Sequence, residues 1–98
     1  MDFKKVFTTY KYVYDEEKYK FLKQPPRNID LKEVIKMIKN FKVCDVKTNK
    51  NYENQHLVLI KYNNYPVLVP IKIFEDKKEV VIKTAFQSRQ FKHLIHNC

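Results

Sequence analysis

The chain has 98 residues and a mass of 12.0 kDa, enough for one domain (1–98) built on a single small core. A hydrophobic fraction of 44% argues against disorder, and apolar runs such as Leu57-Val58-Leu59-Ile60 are too short to span a bilayer. Twenty basic against 11 acidic residues give a net charge of +9, which points to a polyanionic partner, with nucleic acid ahead of an acidic protein or an anionic membrane surface.

The N-terminus has Asp2, Lys4 and Lys5 but no sustained apolar segment after them, so no signal peptide is read there. The expectation is a soluble, cytoplasmic protein with no membrane partner. Residues 6 to 14, VFTTYKYVY, are rich in β-formers and predict a strand with Thr8, Tyr10, Tyr12 and Tyr14 on one face. Interleaved with Lys11, these tyrosines have the composition of a base-stacking surface, although one buried strand face explains them more simply. Asp15 then caps a short helix through DEEKYKFL, with Glu16 and Glu17 in its first turn and Tyr14 and Tyr19 at staple positions, and Gln24-Pro25-Pro26 stops it.

A second helix follows Asp30. Ile29 and Val34 are spaced as a staple, Glu33 completes an Asp-x-x-Glu cap, and Leu31, Val34, Ile35, Ile38 and Phe41 recur as an apolar stripe. Lys32, Lys36 and Lys39 form a basic ridge on another side, a solvated helix face in its plainest reading. From Val43 the period changes to two: a short strand over 43–47, the polar TNKNYEN loop, then strands over 56–62, 66–74 and 79–86. Asn63-Asn64 and Asp76-Lys77-Lys78 are the turns, where Asn and Asp take the left-handed positions that a chain without glycine must fill otherwise. The absence of glycine also excludes a glycine-rich phosphate loop. Such short connections make an antiparallel meander. PVLVPIKIF, apolar on both faces, reads as the central strand covered twice, with a bulge at Pro70. The fold class is therefore α+β, N-terminal helices on one face of a roughly four-stranded antiparallel sheet.

The two cysteines, Cys44 and Cys98, make no framework, so unpaired thiols are expected. His93, His96 and Cys98 have metal-ligand residue types, but three such residues at a terminus without a Cys-x-x-Cys partner predict no metal site. Asp45, Glu53, Glu75 and Asp76 are scattered over turns and make no paired-carboxylate site.

The chemistry concentrates at VVIKTAFQSRQFKH, residues 80 to 93. The guanidinium of Arg89 matches phosphate oxygens, the hydroxyls of Thr84 and Ser88 donate to the same anion, and His56 at the start of a neighbouring strand is the natural acid or base near neutral pH. Each also has a plainer reading, a strand-end histidine and a solvated arginine. The stretch YPVLVPIKIFEDKKEVVIKTAFQSRQ, two strands joined by an acidic turn and closing on Thr-Ala-Phe-x-Ser-Arg, resembles the C-terminal hairpin of the small RNase toxins related to RelE, barnase, EndoU and the tRNA-cutting colicins. It covers about the last third of the chain and departs from that pattern at Gln87, where proline is frequent.

The resemblance implies a RelE/barnase-like fold and cofactor-free, metal-independent cleavage of RNA by its own 2′-hydroxyl, under the control of an acidic antitoxin or immunity protein. His56, Thr84, Ser88 and Arg89 would be catalytic, and Lys61, Lys83, Gln87 and Lys92 would hold RNA. By strand alternation, however, Lys61 and His56 face opposite ways. Two other classes stay open: a non-catalytic basic nucleic-acid-binding protein, and a basic interaction module docking to an acidic protein.

Overall fold

A computed structural model describes residues 1–48, 51–52, 54–96 and 98. Within them the elements run α1 (Phe3–Thr9), β1 (Lys11–Val13), α2 (Glu16–Lys23), α3 (Leu31–Lys39), β2 (Asp45–Thr48), β3 (Gln55–Tyr62), β4 (Tyr65–Phe74), β5 (Glu79–Ile82), β6 (Phe86–Gln87) and a 3₁₀ helix, Arg89–Ile95. The chain is α+β, as expected. Its sheet has six strands and is mixed: β1-β5-β4-β3-β2, with β1 parallel to β5, β6 paired to β4 and the remaining neighbours antiparallel.

The N-terminal expectation fails over Val6–Thr9, which are helical. Asp2 caps α1 by accepting from the Lys5 amide, and Phe3, Val6, Phe7 and Tyr10 fall at helical spacing on the core side. The hydroxyls of Thr8 and Thr9 donate to the carbonyls of Lys4 and Lys5, back-bonds that let β-branched residues sit in a helix. Only Lys11–Val13 remain as strand, but Tyr10, Tyr12 and Tyr14 do share one core-facing side. The Tyr12 hydroxyl donates to the Phe7 carbonyl at 2.7 Å, and burial raises its pKa.

The other helices follow their caps. Asp15 accepts from the Glu17 amide and Asp30 from the Lys32 amide, while the Tyr14 and Tyr19 rings meet at 5.9 Å. Leu31, Val34 and Ile38 are fully buried, and Lys32, Lys36 and Lys39 are exposed. Phe41 leaves the stripe because the chain turns there with φ 55°.

Asn63 and Asn64 make the β3–β4 turn with φ 51° and 62°, closing on the Tyr62–Tyr65 pair. In the β4–β5 turn the left-handed residue is Lys78 (φ 54°), not Asp76. The predicted bulge is displaced to the neighbouring strand. Pro70 stays in β4, opposite Leu57, and its carbonyl accepts from the Lys83 amide. Its missing N–H therefore faces β5, so no β3 bond is lost, and β5 ends just there. Between the pairs Ile71–Ile82 and Val67–Gln87 one strand advances five residues and the other four, a bulge over 83–85. Of the TNKNYEN loop, Thr48 belongs to β2, and residues 49, 50 and 53, including the scattered acid Glu53, lie outside the described residues.

Alternation divides the sheet into two faces. Val58 and Ile60 of β3, Val67, Val69, Ile71 and Ile73 of β4, and Val80 and Ile82 of β5 pack under the helices with Val6, Phe7, Leu22, Leu31, Val34 and Ile38. The second face has its own small core of Leu59, Leu68 and Ile95, flanked by Cys44, Leu57, Phe86 and Phe91. Cys44 and Cys98 are joined in a disulfide, against the expectation of unpaired thiols. Residues 54 positions apart meet because the 3₁₀ helix folds back over the strand ends, a juxtaposition that spacing alone does not reveal.

Candidate nucleic-acid interface

The 3₁₀ helix covers only one half of the second face, the half built on Leu59, Leu68 and Phe86. Cross-strand register orders the other half. One row runs Lys47, Leu57, Pro70 across β2, β3 and β4 and reaches Lys83 through its bond to Pro70; the next runs Gln55, Lys72, Val81, Val13. Lys47 and Lys83 are exposed, while Leu57, Pro70, Lys72, Val81 and Val13 are half-buried. Strand spacing separates the Cα atoms of Lys72 from those of Lys47 and Lys83 by roughly 8–12 Å. At the boundary with the covered half, Lys47 Nζ lies 5.0 Å from the centre of the Phe91 ring. The surface thus alternates ammonium groups with apolar patches, and its carboxylates are Asp45, which accepts from the Val46 amide, Glu79, opposite Lys11, and Asp15, which lines a depression with Val13, Val81 and Lys83.

A basic cleft lies at the far end of β3, on the other side of the half covered by the 3₁₀ helix. Lys61, Asn64, Lys92, Ile95 and His96 line a space of about 210 Å³, and Lys61 also borders a larger one of about 370 Å³ with Met37, Phe41, Lys42, Val43 and Cys98. The disulfide and the packing of Ile95 hold Lys92 and His96 against Lys61.

The residues singled out in the sequence fall in five places. Lys61 and Lys92 come together in the basic cleft. Lys83 stands on the open half-face, where it borders a depression with Val13, Tyr14, Asp15, Lys18 and Val81. Gln87 is exposed in β6, Ser88 donates its amide to the Pro66 carbonyl at 3.0 Å, and Arg89 is exposed at the start of the 3₁₀ helix. Thr84 is held by Arg27, whose Nη1 donates to its Oγ1 at 3.4 Å and to the Ala85 carbonyl at 3.1 Å, with the guanidinium 5.7 Å from the exposed Phe21 ring.

His56 stands apart from all of these. It is on the helix-covered face, 7% exposed, edge-on to Phe3 at 5.2 Å and 3.3 Å from Thr48 Oγ1 through Nδ1. Desolvation lowers its pKa, so the neutral imidazole is favoured. The alternation that sets it opposite to Lys61 holds in the structure, because Lys61 pairs with Pro66 and His56 with Ile71. The structure therefore does not gather His56, Thr84, Ser88 and Arg89 around one point.

Three residues of the surface escaped the sequence reading. Lys72 had a signal, as the single charge within PVLVPIKIF, and a lysine kept on an otherwise apolar strand marks a face open to water. Lys47 and Phe91 had none, since their meeting depends on where the 3₁₀ helix lands. Of the tail's metal-type residues, Cys98 is consumed in the disulfide, His93 is exposed and His96 lines the cleft. Comparison of the chain with protein-family models, with curated proteins and with solved structures gives no match.

Proposed function

We propose that this protein binds nucleic acid through the open half of the second sheet face. The observation that supports this reading is the cross-strand alternation of Lys47, Lys72 and Lys83 with Leu57, Pro70 and Val81 on a chain of net charge +9. Lysines along such a surface attract phosphates and release their counterions, while the apolar positions between them remain for contact with the rest of the ligand. Binding is preferred to the cleavage that the hairpin resemblance implies, because cleavage needs an acid or base beside the phosphate grip and His56 is sealed beneath α1.

The test is a titration of end-labelled RNA at two salt concentrations, with the RNA then run on a denaturing gel. Neutralising about three phosphates lowers affinity roughly 20-fold between about 50 and 200 mM salt. Lys72→Glu and Lys83→Glu should each weaken binding and flatten that dependence, with the RNA recovered intact. Absence of binding, or binding indifferent to salt and to both substitutions, overturns the proposal. Specific new RNA ends, lost in His56→Ala, would restore the endoribonuclease.

A further inference from the structure

The open half-face is more than a charged surface. Leu57, Pro70, Val81 and Val13 stand half-exposed between Lys47, Lys72 and Lys83, and the Phe91 ring closes the row beside Lys47. We propose that its ligand is a single strand, laid across the sheet with bases against Leu57, Pro70, Val81 and Phe91 and phosphates on the three lysines. This inference rests on the nucleic-acid reading above and adds the class of strand.

The reason is what each form of nucleic acid presents. A duplex keeps the faces of its bases stacked inside and offers phosphates and groove edges, so its proteins insert a helix or ribbon into a groove. Here the lysines stand on a pleated sheet among apolar neighbours. A duplex resting on it would touch the lysines and leave the apolar positions wet. A single strand can turn its bases down, where they cover those positions and stack on Phe91, as aromatic and apolar platforms do for unpaired bases. Lys47 needs only to rotate from the ring towards a phosphate for a base to take its place.

Affinities for a labelled uridine 12-mer, a thymidine 12-mer and a duplex with the same number of phosphates, at one salt concentration, test this directly. Both single strands should bind at least about tenfold more tightly than the duplex, because stacking is sequence-tolerant and only unpaired bases can offer their faces to the sheet. Phe91→Ala should weaken the single strands several-fold. Since Phe91 also packs on the small core, Val81→Tyr serves as the second variant: it adds a stacking surface on an open strand position and should tighten single-strand binding several-fold without altering the duplex. A duplex bound as tightly as the single strands overturns the single-strand inference and leaves the nucleic-acid reading standing. No binding of any of the three overturns both. A single-strand preference insensitive to both substitutions overturns the placement of the bases.

Discussion

The two faces of this sheet are built by different means. On the helix-covered face Val58, Ile60, Val67, Val69 and Val80 are sealed beneath three helices, each capped by an aspartate, and apolar burial alone accounts for the packing. On the second face the buried set shrinks to Leu59, Leu68 and Ile95, and a seven-residue 3₁₀ helix is tied down by Cys44–Cys98. A short segment with so little apolar surface gains from a covalent tie. The remainder of that face is left to lysines. The difference teaches that the core of the second face takes up only half of it, which leaves the other half free for a ligand.

The largest expected effect tests the tie. Replacing Cys44 and Cys98 together by Ser removes a cross-link across 54 residues. The loop-entropy account sets the loss of unfolding free energy at about 4 kcal/mol, measurable by denaturant titration. Hydrogen exchange should locate the loosening at the 3₁₀ helix and leave Val58, Ile60 and Val69 protected. Next, Ile60→Ala, at a fully buried site of the other face, should cost about 3 kcal/mol from lost transfer energy and a residual cavity, with no change in RNA binding beyond that explained by unfolding. If it costs less than the double serine variant, the comparison stands as drawn.

Smaller effects separate binding from stability. Lys83→Glu lies on an exposed position and should move the unfolding midpoint little, by less than about 0.5 kcal/mol, while weakening RNA binding. His56 predicts a pH effect confined to the helix-covered face. Its folded pKa lies below the ordinary value of 6.5, so the unfolded chain takes up the proton first as pH falls. Stability from this group is present above pH 6.5, is lost as pH drops through the interval down to the folded pKa, and is constant below it. His56→Val should remove that slope from stability curves between neutral and mildly acid pH. Least of all, Lys78→Gly relieves a left-handed lysine at φ 54° and should raise the midpoint by a fraction of about 1 kcal/mol.

Much of the helix layer and of the β3–β4 hairpin was legible. Asp15 and Asp30 announce their helices, Asn63-Asn64 announces a tight turn, and short apolar runs mark both strands. The N-terminus was misread because VFTTYKYVY satisfies strand composition, while the evidence for a helix lies in the Asp2 cap and in what Phe3, Val6 and Phe7 pack against. For the surface, Lys61, Lys83 and Lys92 stood out as basic positions, and alternation correctly separated Lys61 from His56. The row Lys47, Leu57, Pro70, Lys83 depends on four chain segments in register, and no local pattern encodes it.

By itself, then, the sequence determined the class of the fold, the two helices capped by Asp15 and Asp30, the antiparallel hairpin and the surplus of positive charge, because these depend on propensity, period and composition over a few neighbouring residues. Only the tertiary structure decided that β1 joins β5 in parallel, that Cys98 returns to Cys44, that His56 is shut beneath Phe3, and that lysines from separate strands share one open surface. Each of these joins residues far apart in the chain, whose meeting is set by the packing of the whole core and leaves no trace in any short stretch.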